Sequence, residues 1–169
     1  MSAEKKLTQQ ELESLRSTGG AFLKSGITSL DEITEPRVLE FMAALEGRNF
    51  IDFDELQQKS FMKFWPYIAI HRFEGGDFKY IFDGTHLVNN FGCERTGLMI
   101  SELPNQRRRT ELFDLLQDIL ANKRPMFSKG DLNIDDRAYK KWQQVKMPLQ
   151  RKGEINEVLT LLVFESQPE

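Results

Sequence analysis

Between Asp77 and Leu103 the chain reads DFKYIFDGTHLVNNFGCERTGLMISEL, and its first seven residues alternate. Phe78, Tyr80 and Phe82 fall on one side of an extended run, with Lys79, Ile81 and Asp83 on the other, the period-two pattern of a strand with one buried face. Gly84 stops the run. Thr85 then caps a short helical segment with apolar positions at Leu87, Val88 and Phe91, and Gly92 suits the left-handed position where such a turn ends. A strand therefore feeds short, irregular helices.

The segments on either side complete a mixed pattern. Trp65 to Phe73 is β-rich and ends at Gly75-Gly76, a hairpin signal that joins it to the strand from Phe78. Pro104 and Asn105 open a long helix whose apolar stripe runs through Leu112, Phe113, Leu115, Leu116, Ile119 and Leu120 and stops near Lys123-Arg124. Met126 to Ile134 alternates as a strand, Asp135-Asp136 turns, and Tyr139 to Leu149 forms another strand. Arg151-Lys152-Gly153-Glu154 turns the chain again into Ile155 to Phe164, which is apolar on both faces and so belongs in the middle of a sheet.

Upstream the pattern is helical. Thr8 with Glu11 makes a capping box for a helix over 8–17, ended by Gly19-Gly20. Its apolar stripe is thin, so we read a frayed, solvated helix in preference to an arm that packs through Leu12, Leu15, Phe22 and Leu23. Pro36 suits a first helical turn, followed by Val38, Phe41, Met42 and Leu45 at helical spacing up to Gly47. Ile51 to Asp54 reads as a loop, with Asp54 capping a short helix toward Phe61 and Met62. The chain divides into an arm (1–33), a helical lead-in (34–62) and a domain (63–166). The economical sheet sets the last strand beside the first. The expected architecture is α+β, a five-stranded antiparallel sheet with helices on one face and an N-terminal helical extension.

Composition narrows the function classes. A chain of 169 residues, 40% hydrophobic with 13 Phe, can bury a real core. A net charge of −3 argues against nucleic acid and against an anionic membrane surface as partner. The single cysteine, Cys93, excludes an intramolecular disulfide and a cysteine-built zinc site. The first residues are polar and acidic, and no apolar run approaches the length of a membrane span, so the expected location is the cytoplasm.

The segment Phe78-Lys79-Tyr80-Ile81-Phe82-Asp83-Gly84-Thr85, then Phe91-Gly92, Thr96-Gly97 and Glu102-Leu103, resembles the core of a small PAS-domain family found in alphaproteobacteria. Met147-Pro148-Leu149, a glycine turn and the apolar last strand resemble the same family's C-terminal half. The resemblance spans about three quarters of the chain and is looser before Trp65. It implies a PAS-like fold and a sensory or interaction module, which holds a small ligand between the inner sheet face and the short helices or pairs with a protein through the outer sheet face and N-terminal helices. Fold alone does not assign function.

The residues expected to face such a pocket are Tyr80, Phe82, Phe91, Met99, Leu116, Trp142, Gln144 and Val158, with polar groups from Tyr80, His86, Asn89, Asn90 and Gln144. Aromatic stripes more often fill cores, so a small pocket is expected rather than a large cofactor cavity. His71 and His86 are the only imidazoles, and neither has a nucleophile or metal-ligand pattern beside it. Cys93 reads as an inert, half-buried thiol. Arg107-Arg108-Arg109 opens the long helix, where the dipole disfavours cations, which suits a phosphate or an acidic partner; a solvated charged face is the plainer reading. The expectation is a cytoplasmic, non-enzymatic signalling module without cofactor or metal, acting by contact with a protein partner or a second copy, with a small apolar ligand in its pocket. A haem or flavin sensor near His86 and Cys93, and a small enzyme using His86 with Asp83, are the alternatives.

Overall fold

The computed structural model describes residues 6–22, 26–132 and 140–165. Its elements run α1 (Gln9–Phe22), β1 (Gly26–Thr28), α2 (Pro36–Ala44), β2 (Ile51–Asp52), α3 (Phe53–Leu56), a 3-10 segment (Lys59–Tyr67), β3 (Ile68–Glu74) and β4 (Asp77–Asp83). They continue through α4 (Thr85–Phe91), a 3-10 turn (Ile100–Glu102), α5 (Gln106–Asn122), β5 (Met126–Leu132), β6 (Lys140–Arg151) and β7 (Glu154–Phe164).

The sheet order is β1-β5-β6-β7-β3-β4, and β2 pairs in parallel with β6. All the other pairings are antiparallel. Strands β3 to β7 make the expected five, and β7 stands between β6 and β3 because its two apolar faces can both be covered. Two additions widen the sheet: β1, inside the segment read as an arm, pairs with β5, and β2 replaces the loop expected at Ile51. The hairpin turns follow from backbone conformation. Gly75 and Gly76 have φ of 61° and 81°, and Lys152 and Gly153 have 51° and 80°, the paired positive values of the turn that matches strand twist.

Both faces of the sheet are buried. The inner face meets α4 and α5 around Phe78, Leu87, Leu112, Leu116, Trp142 and Val158, which is the layer of helices expected. On the opposite face the lead-in adds a second helical layer: Val38 and Phe41 of α2, Leu56 of α3, and Phe61 and Phe64 of the 3-10 segment pack on Ile70, Val145, Met147 and Leu161. That 3-10 segment occupies Trp65 to Tyr67, so the first long strand begins at Ile68 rather than at Trp65. Gln143 on β6 ties the lead-in down, its Oε1 accepting from the backbone N–H of Thr34 at 2.8 Å and of Glu35 at 2.9 Å.

The N-terminal helix is docked, which overturns the reading of a solvated arm. Its capping box forms as expected between Thr8 and Glu11. Leu15 is buried against the inner core, and the Ser14 hydroxyl donates to the carbonyl of Phe91 at the end of α4. Leu23, the turn at Asp135-Asp136, the strand ends at Ile134 and Tyr139, and the side chain of Phe22 lie outside the described residues.

Candidate functional site

One β-bulge decides which side chains face the helices. The β3–β4 register runs Ile70 to Phe82 and then His71 to Tyr80, leaving Ile81 as the extra residue on β4. An extra residue reverses the alternation. Phe78 and Tyr80 therefore point to the inner face, whereas Phe82 joins the outer layer and meets Trp65 edge to face at 4.9 Å. Phe82 does not belong to the pocket. Asp83, one residue on, returns to the inner side.

Across the centre of the inner face, polar residues replace apolar ones at neighbouring strand positions. His71 on β3, Thr160 on β7, Lys146 and Gln144 on β6, and Ser128 on β5 are all buried. Register joins them: Lys146 pairs with Thr160, and Ser128 with Gln144. The Lys146 ammonium donates to Thr160 Oγ1 at 2.9 Å, and Gln144 Nε2 donates to Ser128 Oγ at 2.7 Å. His71 stacks on Tyr80 with ring centroids 4.1 Å apart, and neither of its buried ring nitrogens has a hydrogen-bond partner among the described residues. Buried polar atoms are nearly always bonded, so this imidazole is an exception within the core.

The helical side contributes two arginines. Arg95 lies between the rings of Phe91 and Tyr80, its guanidinium carbon 3.9 and 4.7 Å from their centroids. Asp83 receives Nε at 3.0 Å, Nη2 at 2.9 Å and the Arg95 backbone N–H at 2.9 Å. Burial opposes the charge on Arg95, but Tyr80 and the Asp83 carboxylate outweigh it and hold its pKa above the ordinary value. Arg108, in the first turn of α5, faces the same space, where burial and then Arg95 pull its pKa down against Tyr80 and Glu111. The arginine run at 107–109 therefore splits: Arg107 pairs outside with Glu111 at 3.0 Å, Arg109 donates to the Leu103 carbonyl, and Arg108 turns inward. A solvated face describes Arg107 alone.

Together these groups line a cavity of about 20 Å³, walled by His71, Tyr80, Phe91, Arg95, Arg108 and Lys146 among others. A second cavity of the same size shares Tyr80, Phe91, Arg95 and Arg108 with it and is closed by Leu15 of α1 and by Leu103, Pro104 and Asn105. Each has room for about one water-sized group. Burial, then the charges of Lys146, Arg95 and Arg108, push the His71 pKa well below its usual value. Burial, then Arg108 and Arg95, likewise push the Lys146 ammonium well below its own.

Of the ten residues expected to contact a ligand, Tyr80, Phe91 and Gln144 line the cavity. Leu116, Trp142 and Val158 pack in the surrounding core. The other four lie elsewhere. Phe82 is on the outer face, and Asn89 is exposed on α4. Met99 is half-buried in the strip that covers the edge of β4, where it bridges Lys79. His86 stacks on Tyr67 at 4.6 Å and accepts from the Phe164 backbone N–H at 3.1 Å. Of the two residues named for the enzyme alternative, Asp83 is bonded to Arg95 and His86 to the Phe164 backbone. Cys93 is fully buried rather than half-buried, donating to Glu11 Oε2 at 3.1 Å. His71 and Arg108 were named from sequence but not as cavity residues, and Arg95, Lys146 and Thr160 were not singled out; for Lys146 and Thr160 the available signal was a polar residue at an inner-face position of an otherwise apolar strand.

Among the described residues no group of His, Cys, Asp or Glu could hold a metal ion, and no helix is long and apolar enough to cross a membrane. No family model matches the chain, and no curated protein matches it. Among solved structures it is similar to the PAS domain of Bordetella pertussis BvgS, at 19% identity and a TM-score of 0.41, over 74% of this chain and 83% of that one.

Proposed function

We propose that this chain is a cytoplasmic PAS-type sensory module that binds a small ligand between the inner sheet face and α4 and α5, and signals by contact with a protein partner or a second copy. One observation carries the reading: a small cavity at the centre of the inner face, lined by buried polar side chains, with the His71 imidazole unsatisfied within it. A chain that needed only a core would place apolar residues there, because each bare buried polar group costs about 1–3 kcal/mol. The strand order supports the same reading, since it is the arrangement in which the PAS-like pocket lies between sheet and short helices.

The size of the two cavities favours a ligand of a few heavy atoms over a haem or flavin. Because the lead-in covers the outer sheet face, a partner contacts that helical layer or the docked α1 rather than the bare sheet. Helix α1 bonds to the end of α4 and closes the second cavity, so ligand occupancy has a direct route to the surface.

Native mass spectrometry of freshly purified protein tests this reading, with light scattering for subunit count. The wild type is expected to carry a small-molecule adduct that His71→Leu, still folded by circular dichroism, loses. A wild type with no adduct and no melting shift across a library of small metabolites would overturn the reading.

A further inference from the structure

Resting on that reading, we infer that the ligand is carbon dioxide, taken up covalently as a carbamate on the Lys146 amine in the cavity at the centre of the inner face.

Lys146 is the nucleophile of that space. It stands on β6, is 4% exposed, and lines the cavity with His71 of β3, Tyr80 of β4, Arg95 of the loop after α4 and Arg108 of α5. Its Nζ donates to Thr160 Oγ1 at 2.9 Å, and among the described residues no carboxylate pairs with it. Asp83, the carboxylate buried beside Arg95, already accepts three of the N–H groups of that residue. Burial, then the charges of Arg108 and Arg95, oppose an ammonium at this position and favour the neutral amine, which carries a lone pair. An exposed lysine at pH 7.5 is neutral in only about one molecule in a thousand. A buried lysine held in this way is the kind that reacts as a nucleophile.

The site selects its electrophile by size and by charge. The cavity and its neighbour are each about 20 Å³, which admits a group of very few heavy atoms. A small aldehyde would leave an iminium cation, which the two guanidiniums on the wall disfavour. Carbon dioxide leaves an anion, and the field that opposes the ammonium stabilises it. Neither arginine has to be released for this. Arg95 keeps its bonds to Asp83, Arg108 keeps the contacts it has, and both act as fixed positive charges.

The step balances without a co-reactant. The Nζ lone pair forms the N–C bond, one C=O π pair moves onto oxygen, and Nζ gives up one proton. The His71 imidazole lines the same cavity, and its ring nitrogens have no hydrogen-bond partner among the described residues. It takes the proton, so carbamate and imidazolium form together and the net charge of the site is unchanged. The carbamate nitrogen keeps one N–H, which continues to donate to Thr160.

The test is carbon-13 NMR of the nitrogen-15-labelled full chain in carbon-13 bicarbonate at pH 7.5, with trialkyloxonium trapping and peptide mass spectrometry alongside. A carbon resonance split by a directly bonded nitrogen is expected, absent from folded Lys146→Met and unchanged in Lys59→Gln. Trapped carbamate at Lys146 should exceed that at the exposed Lys59 by about 10-fold or more. A bound carbon signal without nitrogen coupling, which is bicarbonate held without a bond, would overturn the carbamate. So would equal trapping at Lys146 and Lys59, or a coupled resonance that persists in Lys146→Met. If the carbamate fails while native mass spectra carry another small adduct, the cavity stands as a ligand site and only this inference is lost. Failure of the carbamate together with adduct-free spectra would overturn both readings.

Discussion

Removing the Asp83 carboxylate leaves a buried guanidinium with no counter-charge, and the geometry sets the size of the loss. The Asp83 side chain is 0% exposed and that of Arg95 6%, with the pair closed by two side-chain bonds of 2.9 and 3.0 Å. Breaking a buried pair by deleting one partner costs about 3–5 kcal/mol, mostly the penalty of the abandoned charge. Asp83→Leu also frees the Arg95 backbone N–H, which adds about 1 kcal/mol or more. For a chain of this length each kcal/mol is about 2–4 °C, so the melting temperature should fall by roughly 8–24 °C. The assay is urea unfolding followed by tryptophan fluorescence, with calorimetry alongside. If the penalty belongs to the stranded charge, the double variant Asp83→Leu/Arg95→Met recovers at least half of the loss. A single-variant cost under about 1 kcal/mol, or a double variant no better than the single, would refute the reasoning.

Two further substitutions separate crowding from charge. At Gly84 a Cβ would overlap the backbone carbonyls of Trp65 and Pro66, neither of which can swing aside, so Gly84→Ala should cost about 1–3 kcal/mol in urea unfolding although its φ is ordinary. Lys146 has a folded-state pKa well below 10.5, so below that pH the unfolded chain holds more protons and stability rises with pH from the lowered value up to about 10.5. Lys146→Met should therefore be more stable than wild type at pH 7, by about 1–4 kcal/mol, with the difference shrinking toward pH 10 in thermal melts.

The sheet was legible because its signals are local. Gly75-Gly76 and Lys152-Gly153 specify hairpins through the φ values they permit, and the run from Val158 to Phe164, apolar on both faces, could only be central. The capping box at Thr8 and Glu11 was likewise readable, yet whether its helix docked depended on Leu15 and Ser14 finding α4 and the inner core. Within the site, Tyr80, Phe91 and Gln144 came from pattern alone, whereas Phe82 was misplaced by a bulge that costs one residue of register and leaves no mark in composition.

What the sequence by itself determined is the five main strands and the long helices and, where no bulge intervenes, the face each residue takes within one element, since periodicities of 2.0 and 3.6 are properties of a single backbone segment. The tertiary structure alone decided which faces meet. His71, Tyr80, Arg95, Arg108 and Lys146 lie up to 75 positions apart, and each, taken singly, reads as an ordinary strand, helix or loop residue. Burial changes them: only when five segments close over one space does a buried ammonium become costly, and the arginine run part into Arg108 facing the cavity, Arg109 held by the Leu103 carbonyl and Arg107 paired outside.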